Sequence, residues 1–120
     1  MFKFRGKSKT TNEWLYGDLL HIAGVPYIIY NEMLDYANNS VHPDSVGELI
    51  CTIENQEFYS NDIVFRSGRD EFEDRIGHFK KLQIGWAIIW DNGNQFHHIS
   101  SDVKVVGNSF DNPELLDKKG

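Results

Sequence analysis

The sequence predicts a mainly β protein forming one domain over residues 1–120, and three observations predict it. At the start, Phe2 and Phe4 alternate with Lys3 and Arg5, the period-2 pattern of a half-buried strand. Turn signals recur between apolar runs, at Ala23-Gly24-Val25-Pro26, Glu54-Asn55-Gln56-Glu57 and Asp91-Asn92-Gly93-Asn94. The stretch Asn31 to Ser45 reads as loop, because Asn38, Asn39 and Pro43 argue against a helix; Glu32 to Ala37 has room for one turn.

Each element follows from local chemistry. Gly6 to Asn12 is polar and turn-like. Glu13 to Ile22 is an aromatic, apolar strand with a bulge expected at Gly17. Tyr27 to Tyr30 returns from the turn, and Val46 to Ile53 follows the long loop. Phe58 to Phe65 reads as one strand. Ser67 to Arg75 mixes both signs of charge and reads as a solvated tip.

The sharpest hairpin joins Lys80–Trp90 to Gln95–Ile99. Asn92-Gly93 accepts the positive φ angles of a two-residue type I′ turn. That turn sets Ile89 opposite Phe96 and Ile88 opposite His97. Trp86, Ile88 and Trp90 then share a face with His97 and Ile99, while Phe96 lies on the other. Val103, Val105 and Val106 form the last strand, ended by Gly107. Asn112 caps a short helical turn with Pro113 at its first position, and Leu115 and Leu116 fold back onto the body.

Composition bounds the function. Of the residues, 40% are hydrophobic and 13% aromatic, enough for a real core and against disorder. The net charge of −6 repels phosphate backbones overall. A single cysteine, Cys51, excludes an internal disulfide or a cysteine metal cluster and suits a reducing compartment. No apolar run nears the roughly 20 residues of a membrane span, and no apolar segment follows the basic start as in a signal peptide. The expectation is a cytoplasmic protein that does not engage membrane.

Two stretches read as similar corners. Leu15 to Leu20 and Phe58 to Val64 each set a turn-tolerant residue, Gly17 or Asn61, before an Asp. A left-handed backbone suits both residues. Asp18 and Asp62 are expected to bond nearby amides rather than catalyse.

The residues now carry a family resemblance. Phe2-Lys3-Phe4-Arg5-Gly6-Lys7 with Glu13-Trp14-Leu15-Tyr16-Gly17, then Glu57 to Val64, then Val106-Gly107-Asn108 through Asn112-Pro113-Glu114-Leu115-Leu116 appear in order. In these stretches the chain resembles the YopX family of bacteriophage and prophage proteins. The family favours Gly where Asn61 stands, and Gly where Gln56 stands. The resemblance implies a small SH3-like β-barrel with additional hairpins and a short C-terminal helical turn. It implies no catalytic residues, no cofactor, and a bacterial host cytoplasm.

Chemical motifs add little. Phosphate-loop, dinucleotide, His-Glu-x-x-His and Gly-x-Ser-x-Gly patterns do not occur in the sequence. His97 and His98 adjoin, but on one strand they point apart and cannot chelate one ion. Cys51, between Ile50 and Ile53, reads as core filling. The carboxylates around Asp70 and Glu73 read as solvated. The reading is therefore a non-enzymatic accessory protein that self-associates or holds a protein partner, because three Trp, five Tyr and eight Phe exceed what one small core hides. The alternative is a nucleic-acid-binding accessory using Lys80, Lys81 and Trp86, with Lys3, Arg5, Lys7 and Lys9 as a second basic stripe.

Overall fold

The computed structural model describes residues 3–30, 37–68, 74–83 and 85–116. Strands dominate, as the sequence predicts, and all the strand pairs are antiparallel. The chain packs as two compact units, Met1–Leu49 and Ile50–Gly120.

In the first unit, β1 (Phe4–Lys7) lies between β2 (Trp14–Ile22) and the start of β4 (Gly47–Ile53), and β3 (Val25–Ile29) flanks β2. The β2–β3 turn is the expected hairpin: Ile22 pairs with Val25, and Ala23 and Gly24 take φ of 52° and 81°, the two positive values of a type I′ turn. Gly17 introduces no register shift, so the expected bulge is absent there. It forms the end pair of the ladder to β1, opposite Phe4, and the ladder to β3 begins at Asp18. Glycine is needed because an added Cβ would sit 2.3 Å from the Ile29 carbonyl oxygen. Gly6 and Lys7, expected in a turn, continue β1. Ile28 and Val41 are fully buried, and Asn39 Nδ2 donates to the Ile28 carbonyl at 2.9 Å. Two single 3-10 turns, Ala37–Asn39 and Pro43–Ser45, occupy the described part of the loop. Phe2 and the turn expected from Glu32 lie outside the described residues.

The second unit begins with the rest of β4 and its hairpin to β5 (Gln56–Tyr59). Glu54 and Asn55 take the positive φ values, 50° and 68°. Gln56 is already in the strand, so a glycine there would serve no turn. The expected strand Phe58–Phe65 splits into β5 and β6 (Asp62–Arg66). Asp62 is buried, and its Oδ2 accepts a 2.6 Å hydrogen bond from the Tyr59 amide. This is the predicted Asp-to-backbone corner, although Asn61 does not take a positive φ.

A second ladder runs β10-β6-β7-β8-β9, with β7 Arg75–Leu82, β8 Gly85–Trp90, β9 Gln95–Phe96 and β10 Val103–Asn108. The run Lys80–Trp90 is thus two strands, because the chain reverses between the paired residues Leu82 and Gly85, and Gly85 takes φ 133°. Phe58, Val64, Phe79, Ile88, Trp90 and Val103 form the core. Each such side chain contributes roughly 1.5–3 kcal/mol on burial.

The tail is tied down. In β10 the register shifts between Val105 and Gly107, so Val106 bulges out, and Gly107 continues the strand rather than ending it. Asn108 Oδ1 accepts from the amides of Phe110 and Asp111, and Asn112 Oδ1 accepts from the Asn108 amide. Pro113 opens the 3-10 turn Pro113–Leu115 as expected, but Asn112 spends its side chain on Asn108 and not on a cap. Leu115 is half-buried, whereas Leu116 is exposed, contrary to expectation. Closure into a barrel is not detected among the described residues. β3 ends the first ladder, its far side carrying one isolated bridge, Tyr27 to Ser40. Two-residue β9 and β10 end the second.

Candidate interaction site

One hairpin decides the face on which the aromatic residues of the second unit gather. The β8–β9 turn is not the two-residue type. Gly93 N donates to the Trp90 carbonyl at 2.8 Å, and Trp90 N donates to the Asn94 carbonyl at 2.9 Å. Gly93 alone has a positive φ, 89°. This is a three-residue loop, a type I turn followed by a left-handed glycine. Ile88 therefore faces Phe96, and Ile89 faces Gln95. A slip of one residue moves every side chain to the other face. Phe96 consequently joins Trp86, Ile88 and Trp90, and its ring meets Trp90 edge-on at 6.4 Å.

Trp86, Ile88 and Phe96 help wall a cavity of about 340 Å³. Phe79 and Ile88 are core residues beneath it, Trp86 and Phe96 stand at its sides, and Ile50, Ile53 and Ile99 complete its apolar lining. Phe96 is 41% exposed, on a strand that lacks a neighbour on one edge. Two cations lie against aromatic rings of this face. Lys81 Nζ lies 5.6 Å from the Trp86 ring, and Arg66 Cζ lies 5.8 Å from the Phe96 ring and 5.2 Å from the Trp90 ring. Such cation–π contacts contribute about 0.5–2 kcal/mol. Trp90 Nε1 is buried without a hydrogen-bond partner.

The sequence-predicted group is divided by the ladder. Lys81 pairs with Trp86 across the strands, and Lys80 pairs with Ala87. Successive side chains alternate, so Lys80 lies on the face opposite Lys81 and Trp86. Phe96 and Arg66 were not singled out by sequence reasoning. The second basic stripe is also reassigned. Arg5 is buried, with Cζ 4.7 Å from the Trp14 ring, and Lys7 Nζ lies 5.4 Å from the same ring. Only Lys3 and Lys9 of that stripe are exposed.

Cys51 is part of the same lining. Burial pushes the Cys51 thiol up from its ordinary value, so it stays protonated near neutral pH. His97 and His98 line the cavity rim beyond the end of β9. Among the described residues, no group of three His, Cys, Asp or Glu is placed to hold a metal ion. Among them, too, no helix is long and apolar enough to cross a membrane. Comparison with protein-family models, curated proteins and solved structures finds no match to this chain.

Proposed function

We propose that this protein is a non-enzymatic accessory protein of the phage and prophage kind. On this reading it is an interaction module that works in the bacterial cytoplasm and associates with copies of itself. The observation that carries the reading is the open aromatic cavity, with half-buried Trp86 and exposed Phe96 set over the core on an unpaired sheet edge. Apolar area left in water costs about 25 cal/mol per Å², and a contiguous patch of this kind is what a partner covers. The YopX resemblance supports the phage assignment, and the stretch that carries it most specifically is the Asn108–Asn112 lock.

Sedimentation velocity over a wide concentration range tests the proposal. The wild-type chain should associate, and the double variant Trp86→Ala, Phe96→Ala should remain monomeric. A wild-type chain that stays monomeric, and that retains no protein in a pull-down from infected cells, would refute it.

A second reading has one observation in its favour. Lys81 and Arg66 lie beside the aromatic rings of Trp86 and Phe96, as in stacking platforms for single-stranded nucleic acid. The opposite placement of Lys80 and the net charge of −6 weaken it. This reading predicts salt-sensitive binding to a single-stranded oligonucleotide that Lys81→Glu abolishes. No binding at low salt rejects it.

A further inference from the structure

We propose that Asn92 is a site of spontaneous deamidation, and that isoaspartate formed there unseats Phe96 from Trp90. The site stands apart from the self-association reading. The sequence holds one Asn-Gly step, Asn92-Gly93, and two Asn-Ser steps, Asn39-Ser40 and Asn108-Ser109. At each, the reaction needs the following backbone nitrogen to reach the side-chain carbonyl carbon. Here the Gly93 nitrogen forms a bond to Asn92 Cγ, and Nδ2 leaves as ammonia with the proton that nitrogen gives up. Water then opens the cyclic imide at either carbonyl, which leaves aspartate or isoaspartate.

The structure separates the three steps. Asn39 is buried, and its Nδ2 donates to the Ile28 carbonyl at 2.9 Å. Asn108 Oδ1 accepts from the amides of Phe110 and Asp111, and its Nδ2 donates to Asp111 Oδ2 at 3.3 Å. Asn92 is exposed, and its Nδ2, the leaving group, has no hydrogen-bond partner among the described residues. Beyond the chain neighbours, no heavy atom lies within 4 Å of a Cβ placed on Gly93, so that flank of the attacking residue is open. Asn92 Oδ1 accepts from the Asn94 amide at 3.0 Å, a donor aimed at the oxygen that gains charge when Cγ is attacked. One restraint opposes the reaction, because Gly93 N donates to the Trp90 carbonyl at 2.8 Å. Releasing it means opening the loop and two-residue β9, which ends its ladder, and short terminal elements open locally at small cost.

Isoaspartate routes the main chain through the former side chain, which adds a carbon between position 92 and Gly93. The loop's two hydrogen bonds, Gly93 N to the Trp90 carbonyl and Trp90 N to the Asn94 carbonyl, fix the pairing of Ile88 with Phe96. A longer loop does not hold both, and a slip in register turns Phe96 away from Trp90.

Ageing the full chain in mildly alkaline buffer, with peptide mass spectrometry and enzymatic methylation of isoaspartate as readouts, tests the proposal. Asn92 should convert at least about tenfold faster than Asn39 or Asn108, since one hydrogen bond to be broken is worth up to about a decade in rate. Asn92→Gln should lose the signal. Tryptophan fluorescence should change as the wild type ages and hold steady in aged Asn92→Gln. Asn92→Asp, which brings the charge without the added carbon, should match the fresh wild type. Circular dichroism checks that both variants keep their strands. No conversion in the folded chain, with conversion in urea, would show that the Gly93–Trp90 hydrogen bond protects the loop and would overturn the site. Equal rates at the three asparagines would overturn it as well. Conversion without isoaspartate, or with unchanged fluorescence, would overturn the effect on Phe96.

Discussion

Replacing Gly77 with alanine tests the packing behind the cavity. Gly77 lies in β7 between Val64 on one side and Trp90 on the other. An added Cβ would stand 2.7 Å from Trp90 Cε3, 2.9 Å from Ile88 Cγ2 and 3.1 Å from the Ile89 carbonyl oxygen. Carbon atoms rest at about 3.5–4.0 Å, so the indole would have to retreat by roughly 1 Å. It has little room, because Trp90 is 3% exposed and Ile88 is 1% exposed, and Arg66 and Phe96 hold its other sides. Overpacking of this kind costs about 1–3 kcal/mol, and two crowded neighbours place this case in the upper half. In a cooperative unit of this size that corresponds to roughly 4–8 °C per kcal/mol. Urea and thermal unfolding followed by tryptophan fluorescence would measure it. Gly24→Ala is the control, since no atom lies within 4 Å of its added Cβ and only the positive φ of 81° opposes the change. A Gly77→Ala loss below about 0.5 kcal/mol, within the range of ordinary surface changes, would show that Trp90 does not pack over β7 as described.

Three further outcomes follow from the same geometry. Asp62→Ala should cost about 1.5–3 kcal/mol in urea unfolding, because it leaves the buried Tyr59 amide without its charged acceptor; a neutral result would mean water replaces the carboxylate. Burial first, and Lys80 second, hold the His78 imidazole below its ordinary value. The unfolded chain then takes up the proton more readily, so this contribution is complete above the unfolded value of about 6.5 and is lost as pH falls below that and through the lowered folded value. His78→Gln should flatten that part of the stability profile, and an unchanged slope would assign it to another group. Because burial raises the Cys51 thiol, the folded chain should react with iodoacetamide near neutral pH more slowly than the urea-unfolded chain; equal rates would place the thiol in water.

The strands and most turns were legible because their signals are local. Ala23-Gly24 supplied the left-handed pair a type I′ turn needs, alternation located β1, and an aromatic, apolar run located β2. Three features escaped for stated reasons. Gln83 and Ile84 are poor turn residues, so only Gly85 hinted that Lys80–Trp90 is two strands. Asn92-Gly93 suits both the two-residue turn and the three-residue loop, and the choice between them is settled by packing. The three-residue form places Phe96 beside Trp90 and Arg66, an apolar gain the dipeptide cannot reveal. Arg66 was invisible as a site residue because its ring partners lie 24 and 30 positions away in the sequence.

Methyl-to-aromatic nuclear Overhauser effects at Phe96 test the origin of the cavity most directly. Contacts from the Phe96 ring to the Ile88 methyls and the Trp90 indole are expected. Contacts instead to Ala87 and Ile89 would put the ring on the opposite face, remove a wall of the cavity and contradict the interaction surface built on it.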